Sequence, residues 1–169
     1  MTEAPQIPDA EATLAALAER MRGAVAFDAA FVGIYSGGAW LAERLPALVP
    51  GNHPVGFIDV SFYRDDYSRT GLKPGVKRSA LPFDVDGATI VLVDDVLYTG
   101  RSVRAAINEL FDFGRPEHIE PAVLIDRGGR ELPIEPTYCG ARLAVARDLS
   151  VVLSRDGQKL RLSVEKQAC

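Results

Sequence analysis

The chain has 169 residues, a formal net charge of −4, 47% apolar residues and 25% charged residues, the composition of a single globular domain with a sizeable core. The acidic balance argues against a surface built throughout for nucleic acid. No apolar run approaches the roughly 18 residues of a membrane span, no basic region precedes a long apolar stretch, and the two cysteines, Cys139 and Cys169, make no disulfide framework, so a cytoplasmic protein without a membrane partner is expected.

Residues 1–9 are acidic and proline-containing and read as a disordered lead-in, with one domain over 10–169. Ala10 to Arg22 carries Leu14, Leu17, Ala18 and Met21 at helical spacing behind Asp9, a candidate N-cap. Phe31 to Tyr35 reads as a short buried strand that runs into Ser36-Gly37-Gly38, a loop with little side chain. Ala39 to Leu48 reads as a helix, weakened by Pro46 and ended by Pro50-Gly51. Val55 to Phe62 is the next strand, closed by Tyr63-Arg64-Asp65-Asp66. From about 65 to 82 the chain is polar, basic and aperiodic, a long flexible loop of the kind that usually carries function.

Ile90 to Val93 is an apolar run that predicts a fully buried parallel strand. Asp94 and Asp95 follow at its end, then a loop, Val96 to Ser102, and an amphipathic helix with Val103, Ala106, Ile107, Leu110 and Phe111 on its apolar face. Ile119 to Ile125 is another strand, ending in Asp126-Arg127-Gly128-Gly129-Arg130. Tyr138 to Arg142 and Val151 to Leu153 are weaker strand candidates, and Asp156-Gly157 marks a hairpin between Ser150–Ser154 and Lys159–Val164. Strands alternating with helices imply right-handed crossovers and a mostly parallel sheet. Ligands bind such sheets at the carboxyl ends of the strands, where the loops SGG, YRDD, DDVLYTGRS and DRGGR would gather.

DDVLYTGRS is neither a Walker A loop, which needs Lys-Ser/Thr after Gly, nor GxGxxG. A single Asp before a helix reads most simply as a cap. Two consecutive carboxylates repel and cost stability unless something cationic or hydroxyl-rich pairs with them. Followed by small polar residues and a helix N-terminus, they suit a phosphorylated sugar: carboxylates to the hydroxyls, loop N–H groups to the phosphate. The remaining residues are blander. His53, in a Gly-Asn-His-Pro turn, is expected to be exposed; His53 and His118 lack cysteine partners and form no zinc pattern.

VLVDDVLYTGRS resembles the phosphoribosyl-pyrophosphate (PRPP) motif of the type I phosphoribosyltransferases. FIDVSFYRDD, LPFDVDGATIVLVDDVLYTGRSVRAA and FGRPEHIEPAVLIDRGGRELPI resemble the PyrR family, pyrimidine operon attenuation regulators that are also uracil phosphoribosyltransferases. The similarity runs from about Ala12 to about Leu153. It implies an α/β type I phosphoribosyltransferase fold, a central mostly parallel sheet flanked by helices with a small hood from the C-terminal strands. It also implies that Asp94 and Asp95 bind the ribose hydroxyls and that Val96, Leu97, Tyr98, Thr99, Gly100, Arg101 and Ser102 cradle the 5′-phosphate. Ser36 and Gly37 would lie on the pyrophosphate side with Arg64 at the base of the 65–82 loop, and Arg127 and the backbone near Val151 would line the uracil pocket. Mg²⁺ would arrive on PRPP with no metal ligand directly from the protein. Expected partners are PRPP, uracil, UMP or UTP, pyr leader RNA, and further copies of the chain in a homodimer or homotetramer. Two departures stand out. The family commonly has Thr-Arg-Gly where this chain has Ser36-Gly37-Gly38, and many members have His where this chain has Gly129. The leading reading is a uracil phosphoribosyltransferase that also regulates pyr genes in response to pyrimidine nucleotides; the first departure pulls toward the alternative, a UMP- or UTP-sensing regulator with weak or lost catalysis, and the second, with the acidic balance, counts against RNA. A phosphoribosyltransferase for another base is the third reading. Arg127, Arg130, Arg142, Arg147, Lys73, Lys77 and Arg78 are the cations from which an RNA surface would have to be built.

Overall fold

The structure is a computed structural model that describes residues 4–61 and 79–168. Arg64 and most of the 65–82 loop expectation lie outside the described residues. The elements are α1 (Ala10–Met21), β1 (Ala30–Ile34), α2 (Gly37–Arg44), β2 (Val55–Ile58), β3 (Thr89–Leu97), α3 (Arg101–Phe113), β4 (His118–Asp126), β5 (Tyr138–Arg142), β6 (Leu149–Asp156) and β7 (Lys159–Lys166). β1 to β5 form one sheet in the order β2-β1-β3-β4-β5, and every pair in it is parallel. β6 and β7 form a separate antiparallel hairpin, the expected hood.

The central strand β3 shows why helices cover both faces. Its alternate side chains point to opposite sides. Val91 and Val93 join Leu14 and Leu17 of α1 and Leu41 of α2 in one core, whereas Ile90 and Leu92 pack with Val103, Ala106 and Leu110 of α3 in the other. A strand buried on both faces must be apolar throughout, as Ile90 to Val93 is. Asp9 caps α1 as the sequence predicts: its Oδ2 accepts from Ala12 N at 2.8 Å.

Three boundaries differ from expectation. β3 runs to Leu97 instead of stopping at Val93, because Val96 and Leu97 remain in register with Ile125 and Asp126 of β4; the acidic pair therefore sits within a paired strand. The second helix starts at Gly37 and ends at Arg44, with a 3₁₀ turn over Leu45–Ala47 that accommodates Pro46. β2 ends at Ile58. His53 is another correction. It is not an exposed turn residue: Nδ1 lies 2.7 Å from Ala29 O, and its ring meets Phe31 edge-on at 4.8 Å.

The chain that follows β2 and the chain that returns at Ser79 are held together. Asp59 N donates to Ser79 Oγ at 3.2 Å, and Ser79 Oγ donates to Glu109 of α3 at 2.7 Å. Phe57 and Ala80 exchange backbone hydrogen bonds of 2.9 and 2.8 Å, which cover the otherwise open edge of β2. The hood is tied down through Glu11 of α1. That carboxylate accepts both terminal nitrogens of Arg44, at 2.9 and 2.7 Å, and Leu160 N of β7 at 2.9 Å. Those hydrogen bonds, Arg44 first, pull the Glu11 carboxyl down to about 2.

Candidate active site

The site is assembled on the carboxyl end of β3. Asp94 is buried at 6% exposure and Asp95 is half-buried. Asp95 N donates to Asp94 Oδ1 at 2.9 Å and Val96 N donates to Asp95 Oδ1 at 2.8 Å. These turns of each carboxylate onto the next backbone N–H fix the two side chains in adjacent positions. Tyr98, Thr99 and Gly100 then link β3 to α3. Gly100 has φ +93°, a conformation that lets the helix start directly. Thr99 Oγ1 accepts from Arg101 N at 3.2 Å, which leaves its hydroxyl proton available to an anion. Ser102 lies half-buried in the first turn of α3, beside N–H groups that an α-helix cannot satisfy internally.

The segment after β4 wraps this loop. Arg127 N donates to Leu97 O at 3.0 Å, while Glu131 N and Leu132 N both donate to Thr99 O, at 3.0 and 3.1 Å. Arg130 is the central strut: Nη1 donates to Tyr98 O at 3.0 Å, Nε to Ile134 O at 2.7 Å and Nη2 to Asp126 Oδ2 at 2.8 Å. Burial raises the Asp126 carboxyl, but hydrogen bonds from Arg130 and from Gly128 N outweigh it and hold the carboxyl below its ordinary value. Arg101 is engaged with Glu131 at 2.9 Å. Asp126, Arg130 and Glu131 were not among the expected site residues. Their signal was present as an acid and a base at i, i+4 in DRGGR, a spacing that in a loop carries no fixed meaning.

Arg127 is 8% exposed. Nη1 and Nη2 donate to Leu149 O and Ala146 O, at 2.7 and 3.1 Å, and the guanidinium stacks 3.9 Å above the Tyr98 ring. Its buried Nε has no hydrogen-bond partner among the described residues. Arg127 thus joins the loop between β3 and α3 to the start of β6, which carries the buried Val151. Gly129, with φ +76°, leaves room for the same ring: a Cβ there would fall 2.3 Å from Tyr98 Cε2. Arg127 and Arg130 therefore face inward, whereas Arg142 and Arg147 are exposed; Lys73, Lys77 and Arg78 lie outside the described residues. Ser36 precedes α2 as an exposed residue, with no side-chain cap bond, and Gly37 is buried at the helix start. Asp94, Asp95, residues 96–102, Ser36 and Gly37 are thus drawn to one edge.

A paired acidic strand end, a short polar loop and a helix N-terminus on a five-stranded parallel sheet suit a phosphoribosyltransferase domain, and residues 4–141 match the family model described as the phosphoribosyl transferase domain. The chain is 52% identical over 154 residues to a protein of Ralstonia nicotianae named Bifunctional protein PyrR, covering 89% of this chain and 88% of that one. A protein of the same name from Pseudomonas paraeruginosa is 53% identical over 123 residues, 73% of this chain and 72% of its own. The chain belongs to the PyrR family. Among solved structures, a purine phosphoribosyltransferase from Pyrococcus horikoshii superposes with a TM-score of 0.61 at 28% identity, over 79% of this chain and 81% of that one. Among the described residues no helix is long and apolar enough to cross a membrane.

Proposed function

We propose that this chain transfers the phosphoribosyl group of PRPP to uracil, giving UMP and diphosphate, and that pyrimidine nucleotides held in the same site make it a regulator of pyr gene expression. The observation that carries the reading is the Asp94-Asp95 pair on β3, continuous with the 96–102 loop and the start of α3, in a member of the PyrR family. Asp94 and Asp95 would orient the ribose hydroxyls. Residues 96–102 would hold the 5′-phosphate, with Thr99 and Ser102 adding hydroxyl donors. Ser36, Gly37 and Arg64 would face the diphosphate. Arg127, through the carbonyls it holds at Ala146 and Leu149, would shape the uracil pocket beside Val151.

The bond from ribose C1′ to the diphosphate oxygen breaks as uracil N1 bonds to C1′ and releases its proton. The protein's part is positioning and stabilisation of charge around an oxocarbenium-like centre. Mg²⁺ would enter on the diphosphate oxygens of PRPP. That ion keeps several of its own waters when it travels with a phosphate substrate, so it would need no ligand directly from the protein, and Asp94 and Asp95 stay with the ribose hydroxyls. The protein would act in the cytoplasm as a homodimer or homotetramer.

A second reading, a UMP- or UTP-sensing regulator with weak catalysis, is favoured by one feature. Gly37 supplies no cation where the family commonly has Arg, and Arg101, Arg127 and Arg130 are already engaged within the chain. The deciding assay follows UMP formation from uracil, PRPP and Mg²⁺. Turnover with uracil but not with purine bases is expected. No turnover with UMP still bound would leave the sensor, and turnover with a purine base instead would overturn the pyrimidine assignment. RNA is tested by filter binding to pyr leader RNA over a salt series. A phosphate-contacting surface must lose affinity steeply as salt rises, and no binding removes that arm.

A further inference from the structure

Arg127 carries a positive charge into the interior with no carboxylate beside it among the described residues. Its Nη1 and Nη2 donate to Leu149 O and Ala146 O, at 2.7 and 3.1 Å. Its buried Nε has no partner among those residues. Two carbonyl dipoles are weak compensation for a buried cation. The remaining contact is the Tyr98 ring, whose centroid lies 3.9 Å from Cζ. That is well inside the roughly 6 Å at which an aromatic face attracts a cation, and burial of the guanidinium strengthens the attraction. The two carbonyls fix the direction of two N–H groups within the guanidinium plane, and the ring face fixes the tilt of that plane. The Tyr98 backbone is held separately, since its carbonyl accepts Arg130 Nη1 at 3.0 Å. The course of the loop therefore does not depend on the ring.

We infer that the Tyr98 side chain is a positioning residue for the base pocket, acting through Arg127, although it stands in the loop between β3 and α3. The ring holds the guanidinium plane. The guanidinium holds the carbonyls of Ala146 and Leu149, and with them the start of β6 beside Val151. The inference deepens the proposed function and rests on its reading of Arg127 as the residue that shapes the uracil pocket. It divides one residue between two halves of a nucleotide: the Tyr98 backbone serves the 5′-phosphate and the Tyr98 ring serves the base. UMP and ribose 5-phosphate share the phosphate and the diol and differ in the base. The ratio of their affinities therefore isolates the base's share.

The experiment measures UMP and ribose 5-phosphate affinity by titration calorimetry for wild type, Tyr98→Leu, Tyr98→Phe, Arg127→Met and the variant that combines Tyr98→Leu with Arg127→Met. Tyr98→Leu is expected to weaken UMP by about tenfold, the scale of a desolvated cation–π contact, and to leave ribose 5-phosphate unchanged. Tyr98→Phe keeps the aromatic face and should restore the preference for UMP. In the Arg127→Met background Tyr98→Leu should have no further effect. Unchanged UMP affinity in Tyr98→Leu, an equal loss for both ligands, a loss in Tyr98→Phe as large as in Tyr98→Leu, or an undiminished loss in the Arg127→Met background would each overturn the inference. If Tyr98→Leu does not fold, phenylalanines with one, two and three ring fluorines at position 98 decide. They keep the shape while withdrawing negative charge from the ring face. UMP affinity must then fall with each fluorine while ribose 5-phosphate affinity holds, and a flat series overturns the inference. Wild type that binds UMP no more tightly than ribose 5-phosphate would overturn the proposed base pocket and the inference with it. Wild type that prefers UMP, with Tyr98 variants that keep the full preference, would overturn the inference alone.

Discussion

At the scale of single residues, the site divides into groups that face the ligand and groups that hold them. Asp95→Asn tests the first kind. Asn retains an oxygen to accept from Val96 N, the 2.8 Å bond that orients the side chain, so the melting temperature should hardly move. The negative charge toward the diol is lost, and kcat/KM for PRPP should fall by about 10- to 100-fold, the worth of one hydrogen bond to a charged group. Wild-type kinetics in this variant would mean that the acidic pair has been misassigned. Arg130→Ala tests the second kind. Arg130 and Asp126 are 16% and 7% exposed, and the substitution strands a buried carboxylate while freeing Tyr98 O. Breaking a buried pair on one side costs about 3 kcal/mol, to be read by denaturant unfolding; a loss within the scatter of surface substitutions would show that Arg130 is not the strut of the phosphate loop.

At the scale of elements, the hood depends on the Glu11–Arg44–Leu160 junction. A carboxyl held at about 2 against an ordinary 4.5 contributes stability that is present above about pH 4.5 and lost as pH falls toward 2. Both side chains are 34% exposed, so solvent screening reduces the contribution to about 1 kcal/mol. Glu11→Gln should therefore melt a few degrees below wild type at pH 7, about 2–4 °C for a domain of this size. The gap should close between pH 4.5 and 2, and a gap that does not depend on pH would assign the effect to packing instead. The elements themselves were largely legible. Ile90–Val93 announced a central strand because burial on both faces demands an unbroken apolar run, and Asp9 announced α1 because a cap needs a short side-chain acceptor. What sequence could not carry was pairing. β3 continues through two aspartates only because β4 offers partners to Val96 and Leu97, and a carboxylate in a strand looks locally like a strand's end. Likewise DRGGRELPI identified a family without revealing that it clamps Thr99 O, since that contact joins segments about thirty residues apart in sequence.

At the scale of the whole molecule, the loop after β3 is joined to the hood through the chain after β4, so a ligand that bridges them should stabilise the entire domain. The 94–102 segment is fastened to the chain after β4 by Thr99 O and Tyr98 O, and that chain is fastened to the hood by Arg127. A nucleotide that occupies the loop and the pocket beside Val151 would lie across these joints, whereas uracil alone would reach only the hood. Linkage makes the difference measurable. A ligand at 100 times its dissociation constant adds about 2.7 kcal/mol to the folded state, which for a chain of this length raises the melting temperature by about 5–10 °C. UMP is expected to give a shift of that size, ribose 5-phosphate a smaller one, and uracil at the same concentration almost none. The order matters more than the sizes, because it follows from the placement of the charged groups. In the proposed reading the 5′-phosphate would meet the loop and the start of α3, the diol would meet Asp94 and Asp95, and the base would meet backbone carbonyls and an arginine already engaged with them. A thermal-shift series in which uracil matches UMP while ribose 5-phosphate is inert would reverse that order. Recognition would then reside in the hood, and the strand-to-helix loop on β3 would be a structural turn.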